Sequence, residues 1–254
     1  MDDLSQRVQR AQQGGPSEIT ALVHDASVDV LSALLRNPFL QEEHLLTLLN
    51  RTDLPGPFLE DVARNPKRVE SQRVKAALVM NPKTPRLVSL ALMKFLFLFD
   101  LVAVTLKPAV PPEIKRLAEN QIANQAGQIP AGQQVSLARR GSARVAAALL
   151  LKGKLQAVTP ALDNPYMTEG VLFKVLQADD LREHVLKAVA KHRKWSLRYD
   201  LRLQVVRHPN TPLGIVLEFL PKVKPQDLKL LLTDKRMNSG LREYLETELA
   251  SRRR

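Results

Sequence analysis

The chain has 254 residues, 38 Lys and Arg against 26 Asp and Glu, a formal net charge of +12 and no cysteine. That length holds one large domain or two small ones, and a hydrophobic content of 44% is that of a globular protein with a real core. The absence of Cys excludes disulfides, thiolate zinc sites, iron–sulfur clusters and cysteine nucleophiles.

From the N-terminus, Met1-Asp2-Asp3 is acidic and lacks the basic and apolar regions of a secretory signal, so the expected compartment is the cytoplasm. Leu45, Leu48 and Leu49 begin a 3.6-residue apolar periodicity that predicts amphipathic helices. These helices end at a recurring mark: Asn37-Pro38, Asn65-Pro66 and Asn81-Pro82-Lys83-Thr84-Pro85. Asn tolerates the left-handed conformation that closes a helix, and the following Pro cannot continue it. Thr84 is then expected to cap the next helix, with Pro85 in its first position. The apolar stretch Leu87–Leu106 contains Lys94 and Asp100, each costing about 2.5–3.5 kcal/mol at the centre of a membrane helix. It therefore reads as two buried helices meeting near Phe99–Asp100 rather than a membrane span. Lys107-Pro108 through Glu113 is a degenerate copy of the same break.

The second part of the chain repeats the pattern. At an offset of 127 residues the sequence matches itself without a gap, and about a fifth of the aligned positions are identical. Asn37-Pro38 falls on Asn164-Pro165, Asp53-Leu54 on Asp180-Leu181, and Pro82-Lys83-Thr84-Pro85 on Pro209-Asn210-Thr211-Pro212. Thr211 and Pro212 repeat the expected cap. The segments are about 9 to 15 residues long and cannot be stable alone, so each must bury its stripe on neighbours. With no alternating strand pattern or hairpin turn, the expected fold is all-α: an α-solenoid of helical repeats, duplicated in tandem as 1–127 and 128–254.

The Asn-Pro-x-Thr-Pro turns, the short paired helices and the Leu/Val/Ala stripes resemble HEAT-like repeat proteins, in particular the leucine-rich-repeat-variant branch. The resemblance covers 37–122 and 164–249, with weaker cover at 1–36 and 128–163, and implies a stacked helical array. The inner groove of such a stack suits a scaffold that binds peptides, helices or domains. The iron–sulfur cluster of some variant-repeat proteins does not transfer, since this chain lacks the cysteines. A DNA glycosylase family shares the HEAT-like architecture, but its aromatic and acidic constellation has no residue-by-residue match here.

Catalytic patterns are sparse: there is no phosphate loop, nucleophile elbow or H-E-x-x-H motif. Asp180 and His184, spaced i, i+4, read as a surface pair, and Asp53 and Asp180 as helix caps. No cofactor and no enzymatic activity are expected. Charge is the stronger signal, because the 1–127 copy is net +1 and the 128–254 copy net +11. The excess centres on Lys187, Lys191, Arg193, Lys194, Arg198, Arg202 and Arg207, against the single acid Asp200. On one helix, the i, i+4 pairs Trp195–Tyr199 and Arg198–Arg202 place an aromatic edge beside a cationic one. Such an edge suits an acidic protein or peptide, or a nucleic acid whose phosphates meet the cations while a base stacks. In the alternative, Trp195, Leu197, Leu201 and Val205 form a core stripe and the cations are simply solvated. Arg252-Arg253-Arg254 adds to the same field as a frayed tail.

Overall fold

The computed structural model describes residues 3–234 and 239–251. Among them are eighteen α-helices, three short 3₁₀ turns and no strand. No described helix is long and apolar enough to cross a membrane. The chain divides into two compact units, Met1–Asn120 and Gln121–Arg254.

The first unit holds α1 (Leu4–Gln13), α2 (Pro16–Leu22), α3 (Val28–Leu34), α4 (Glu42–Leu49), α5 (Gly56–Arg64), α6 (Gln72–Met80), α7 (Arg86–Met93) and α8 (Leu98–Leu106), and the start of α9 (Pro112–Gln125). The second holds α10 (Ala131–Arg140), α11 (Ala143–Lys152), α12 (Val158–Leu162), α13 (Glu169–Leu176), α14 (Glu183–Lys191), α15 (Tyr199–Arg207), α16 (Leu213–Phe219), α17 (Pro225–Thr233) and α18 (Ser239–Ser251). Helices α1, α4, α5, α6 and α8 each begin and end 127 residues before α10, α13, α14, α15 and α17. The main packing partners are neighbours along the chain or one element removed, such as α1 on α3, α4 on α6, α11 on α13 and α13 on α15. Leu31, Leu48, Leu59 and Leu78, like Leu149, Leu172, Leu186 and Leu201, are buried between them.

The Asn-Pro marks work differently from the expectation. No described residue other than glycine has a positive φ, nor does any described glycine. Asn81 is extended, at φ −80° and ψ 127°, and Asn65 similarly at φ −88° and ψ 110°. The proline ring that follows excludes the helical region for these residues, so extension is their preferred state. What the Asn supplies is its side chain. Asn37 Nδ2 donates to the carbonyls of Ala11 and Gly14, at 2.9 and 3.0 Å, where α1 ends, and its Oδ1 accepts the Phe39 N–H at 2.8 Å. Asn164 does the same 127 residues on, donating to Ala138 and Gly141 at 2.7 and 3.0 Å and accepting from Tyr166 at 2.8 Å. Asn81 holds the carbonyls of Leu49 and Arg51 at 2.8 and 2.7 Å and the N–H of Lys83 at 3.0 Å. All three are buried, and each joins its own turn to the unpaired carbonyls at the end of an earlier helix.

In the second unit His208 stands in the place of Asn81. Its Nε2 meets the Ala178 carbonyl at 2.8 Å and its Nδ1 accepts the Asn210 N–H at 3.1 Å. A carbonyl on one side and an N–H on the other assign the neutral ring with the proton on Nε2. Gln134 makes a further staple, donating to Ala126 and Ile129 at 2.8 and 2.9 Å and accepting from Lys154 at 2.6 Å.

The expected threonine caps are also corrected. Thr84 Oγ1 donates backwards to the Leu78 carbonyl at 2.6 Å, and Thr211 Oγ1 bonds the Val205 carbonyl in the same way. Pro85 and Pro212 take the N-cap positions themselves, extended at ψ 139° and 138°. The threonines thus finish one helix instead of starting the next, because the preceding helix end offers unpaired acceptors. Asp53 does not cap α5, whose N-cap is Pro55; it pairs with Arg51 at 2.7 Å. Asp180 lies two residues before Arg182, the N-cap of α14. The Leu87–Leu106 stretch is two helices, but they break at Lys94–Phe97, and Phe95, Phe97 and Phe99 are exposed rather than buried.

Candidate binding surface of the second unit

Lys187–His208 is not one helix. α14 ends at Lys191 and α15 starts at Tyr199, with the turn 192–198 between them. His192 Nδ1 accepts the N–H of Lys194 at 3.2 Å, and its Nε2 lies 3.2 Å from the Asp163 carboxylate. These bonds fold the turn back towards α12. Trp195 drops into the core beneath it, only 2% exposed, and its indole N–H donates to the Leu162 carbonyl at 2.8 Å. The Lys194 ammonium covers the indole at 4.0 Å from its centre.

Tyr199 is therefore not on an aromatic edge with Trp195. Its hydroxyl donates to the Asp227 carboxylate and accepts the Lys224 N–H at 2.9 Å, closing the N-terminus of α17. Burial, and then the bond to Asp227, push its phenol pKa up. The Lys224 ammonium lies 4.7 Å from the ring centre and the Arg202 guanidinium 6.0 Å.

The cations divide similarly. Arg207 is half-buried and pairs with Asp234 at 2.9 Å. Arg202 is half-buried beside Tyr199, with its Nε shielded from solvent. Lys187 is exposed and pairs with Glu183 one turn back, while Arg198 reaches Glu169 at 3.6 Å. Lys191 and Arg193 are exposed and line an open cleft of about 400 Å³ with Thr159, Leu162, Asp163, Ala188 and His192. Leu197, 74% exposed, and Tyr166, 53% exposed, add apolar surface in the turns of the same unit. Arg252-Arg253-Arg254 lies outside the described residues.

The first unit carries the same cleft. An open space of about 520 Å³ is lined by Ser32, Leu35, Arg36, Asp61, Arg64, Asn65, Pro66 and Arg68. Seven of these lie 127 residues before the seven residues of the second cleft, and the eighth, Arg68, lies 127 before Trp195. The residues missed by sequence reasoning, Leu162, Asp163 and His192 among them, follow from that register. Surface chemistry differs where the core does not: exposed Phe95 and Phe97 correspond to Lys222 and Lys224.

Among the described residues no three His, Asp or Glu side chains form a group able to hold a metal. His184 and Asp180 do not share a helix face, since Asp180 precedes α14. The His184 Nε2 is buried without a hydrogen-bond partner, and burial, followed by the charge of Arg182, lowers the imidazole pKa from its ordinary 6.5. The unfolded chain then binds this proton more readily than the folded one. Stability from the neutral ring is complete above pH 6.5 and is lost as pH falls through the lowered folded value. In thermal melts from pH 8 to pH 5, His184→Gln is expected to lose less stability than the wild type (parallel losses would remove His184 as the cause). No protein-family model, curated protein or solved structure matches this chain.

Proposed function

We propose that the protein is a non-enzymatic helical-repeat scaffold of the HEAT-like type, a solenoid made by tandem duplication of 1–127 and 128–254. Its second copy binds an acidic segment of another polypeptide. Five helix pairs in matching register and the repeated Asn staples support the duplication. Contacts between near neighbours in sequence support the repeat architecture.

The observation that carries the binding assignment is the cleft repeated in both units. In the second copy it is flanked by exposed Lys191 and Arg193, with Lys194 and Arg198 on the adjoining turn. A copy built on the same core without the charge excess supports a role for the cations in recognition rather than folding. Exposed Leu197 and Tyr166 suit a peptide that alternates acidic and apolar side chains. Nucleic-acid binding through 182–207 is the second reading, favoured by the density of cations alone. Against it, Trp195 is in the core and the Tyr199 hydroxyl is tied to Asp227, so these two rings do not form the joint aromatic edge that stacking on this stretch would use.

The test is fluorescence anisotropy of the full chain with a labelled acidic peptide of alternating Glu and Leu. Lys191→Glu with Arg193→Glu is expected to weaken binding by at least about tenfold. Both residues are exposed, so the melting temperature should stay unchanged. Unchanged affinity in the double variant would reject the assignment.

A further inference from the structure

The first unit has a second cleft, of about 480 Å³, opening between the turn 65–71 and the starts of α4 and α6. Leu35, Leu40, Leu45 and Val74 form apolar walls, and Lys67 and Arg68 supply positive charge. This size is in the range of sites that take a small ligand or one large side chain. The acid in the lining, Glu42, is directed to Arg73 Nη1 at 3.4 Å.

Arg68 is an unusual residue for its position. Its Nη2 donates to the Leu35 carbonyl, the bond that Trp195 Nε1 makes to Leu162 in the second unit. A guanidinium has five N–H donors, and this is the one hydrogen bond found for it among the described residues. Burial lowers its pKa, a sign of partial desolvation that the charge of Asp61 opposes in part, while the group stays cationic. A half-buried guanidinium with donors to spare binds a carboxylate bidentately and more strongly than a solvated one.

The second unit indicates what else the place accepts. There Lys194 and His192 surround the Trp195 indole, the first at 4.0 Å and the second with its ring centre 6.2 Å away. Their counterparts in the first unit are Lys67 and Asn65, and both line the open cleft. In the second unit the Trp195 ring fills this place, whereas in the first the slimmer Arg68 side chain takes the matching bond and lines an open cleft. That cleft offers apolar walls and a cation instead.

We propose that this cleft binds the C-terminal residue of a polypeptide ending in an aromatic side chain. The ring lies on the leucine walls, and the terminal carboxylate takes the free donors of Arg68. A single terminal residue carries both groups, and the open side of the cleft lets the rest of the peptide leave. The site is separate from the basic surface of the second unit.

The experiment titrates the full chain with a labelled peptide ending in Trp, once as the free acid and once as the C-terminal amide. The acid is expected to bind at least about tenfold more tightly than the amide. Arg68→Gln should remove that preference and Arg68→Lys should keep part of it, because an ammonium remains a point charge without the planar fork. Arg68→Trp, which copies the second unit, should fill the cleft and abolish binding with the fold intact by circular dichroism. Lys191→Glu with Arg193→Glu should leave this binding unchanged, which separates it from the acidic-peptide surface. Equal binding of acid and amide would overturn the proposal, as would full affinity in a folded Arg68→Trp chain. Indole-3-propionate binding as tightly as the peptide would overturn the polypeptide assignment in favour of a free aromatic acid.

Discussion

Asn81→Ala is expected to destabilise the protein by about 3–5 kcal/mol, more than most substitutions of a polar residue. Three hydrogen bonds disappear together, to Leu49, Arg51 and Lys83. Each contributes about 1 kcal/mol net, and the Leu49 carbonyl, buried away from water, adds about 1–3 kcal/mol when it is left without its partner. The Asn81 side chain is buried. Asn81→His should cost clearly less, because His208 performs the same task at the matching position with one ring nitrogen donating and the other accepting. Thermal melts of both variants give the comparison, with a drop of roughly 10 °C expected for the alanine variant. Equal loss in both variants, or a loss under 1 kcal/mol in Asn81→Ala, would mean that the staple does not hold the turns together.

The second large effect belongs to Trp195→Ala, expected to cost about 3–5 kcal/mol. The substitution empties a space that the fold fills with an almost fully buried indole, and leaves the Leu162 carbonyl without its donor. Trp195→Phe should cost less, since it retains most of the ring and loses only the N–H. This variant separates the two readings of the basic region. If the tryptophan stacked on a nucleic acid, its loss would weaken oligonucleotide binding and spare stability. The buried position predicts the opposite: denaturant midpoints fall, and any residual binding to oligonucleotides changes no more than the folded fraction does. A Trp195→Ala chain as stable as the wild type and selectively deficient in oligonucleotide binding would contradict this.

The all-helical character and the helix ends at the Asn-Pro marks were legible in the sequence, because a 3.6-residue stripe interrupted by Asn-Pro leaves few alternatives. The role of the asparagines was not. The carbonyls to which they donate lie more than twenty residues away, and a local reading of Asn as a helix-closing residue has no means to see them. The threonines were misplaced for a related reason: a hydroxyl before Pro can serve the helix behind it or the one ahead, and only packing decides. The break between α14 and α15 was hidden by a substitution. In the first unit Asn65-Pro66 marks it openly, whereas the second has His192-Arg193, and without the proline the cationic stretch reads as continuous helix. The 127-residue register places this break opposite Asn65-Pro66 and Trp195 opposite Arg68. Net charge located the candidate surface but could not separate Lys191 and Arg193 from Arg207, which is paired inside the fold.

The most direct test of the binding assignment sets two ligands against each other on the full chain: the acidic Glu/Leu peptide and a single-stranded oligonucleotide of equal charge. Both are titrated by anisotropy from low salt to about 0.15 M, where the Debye length is about 8 Å. The peptide, supported by apolar contacts, is expected to retain most of its affinity, while the oligonucleotide, held by charge alone, should fall steeply along a log–log salt slope. An oligonucleotide that binds more tightly than the peptide at the higher salt would contradict the account and make the basic surface a nucleic-acid site.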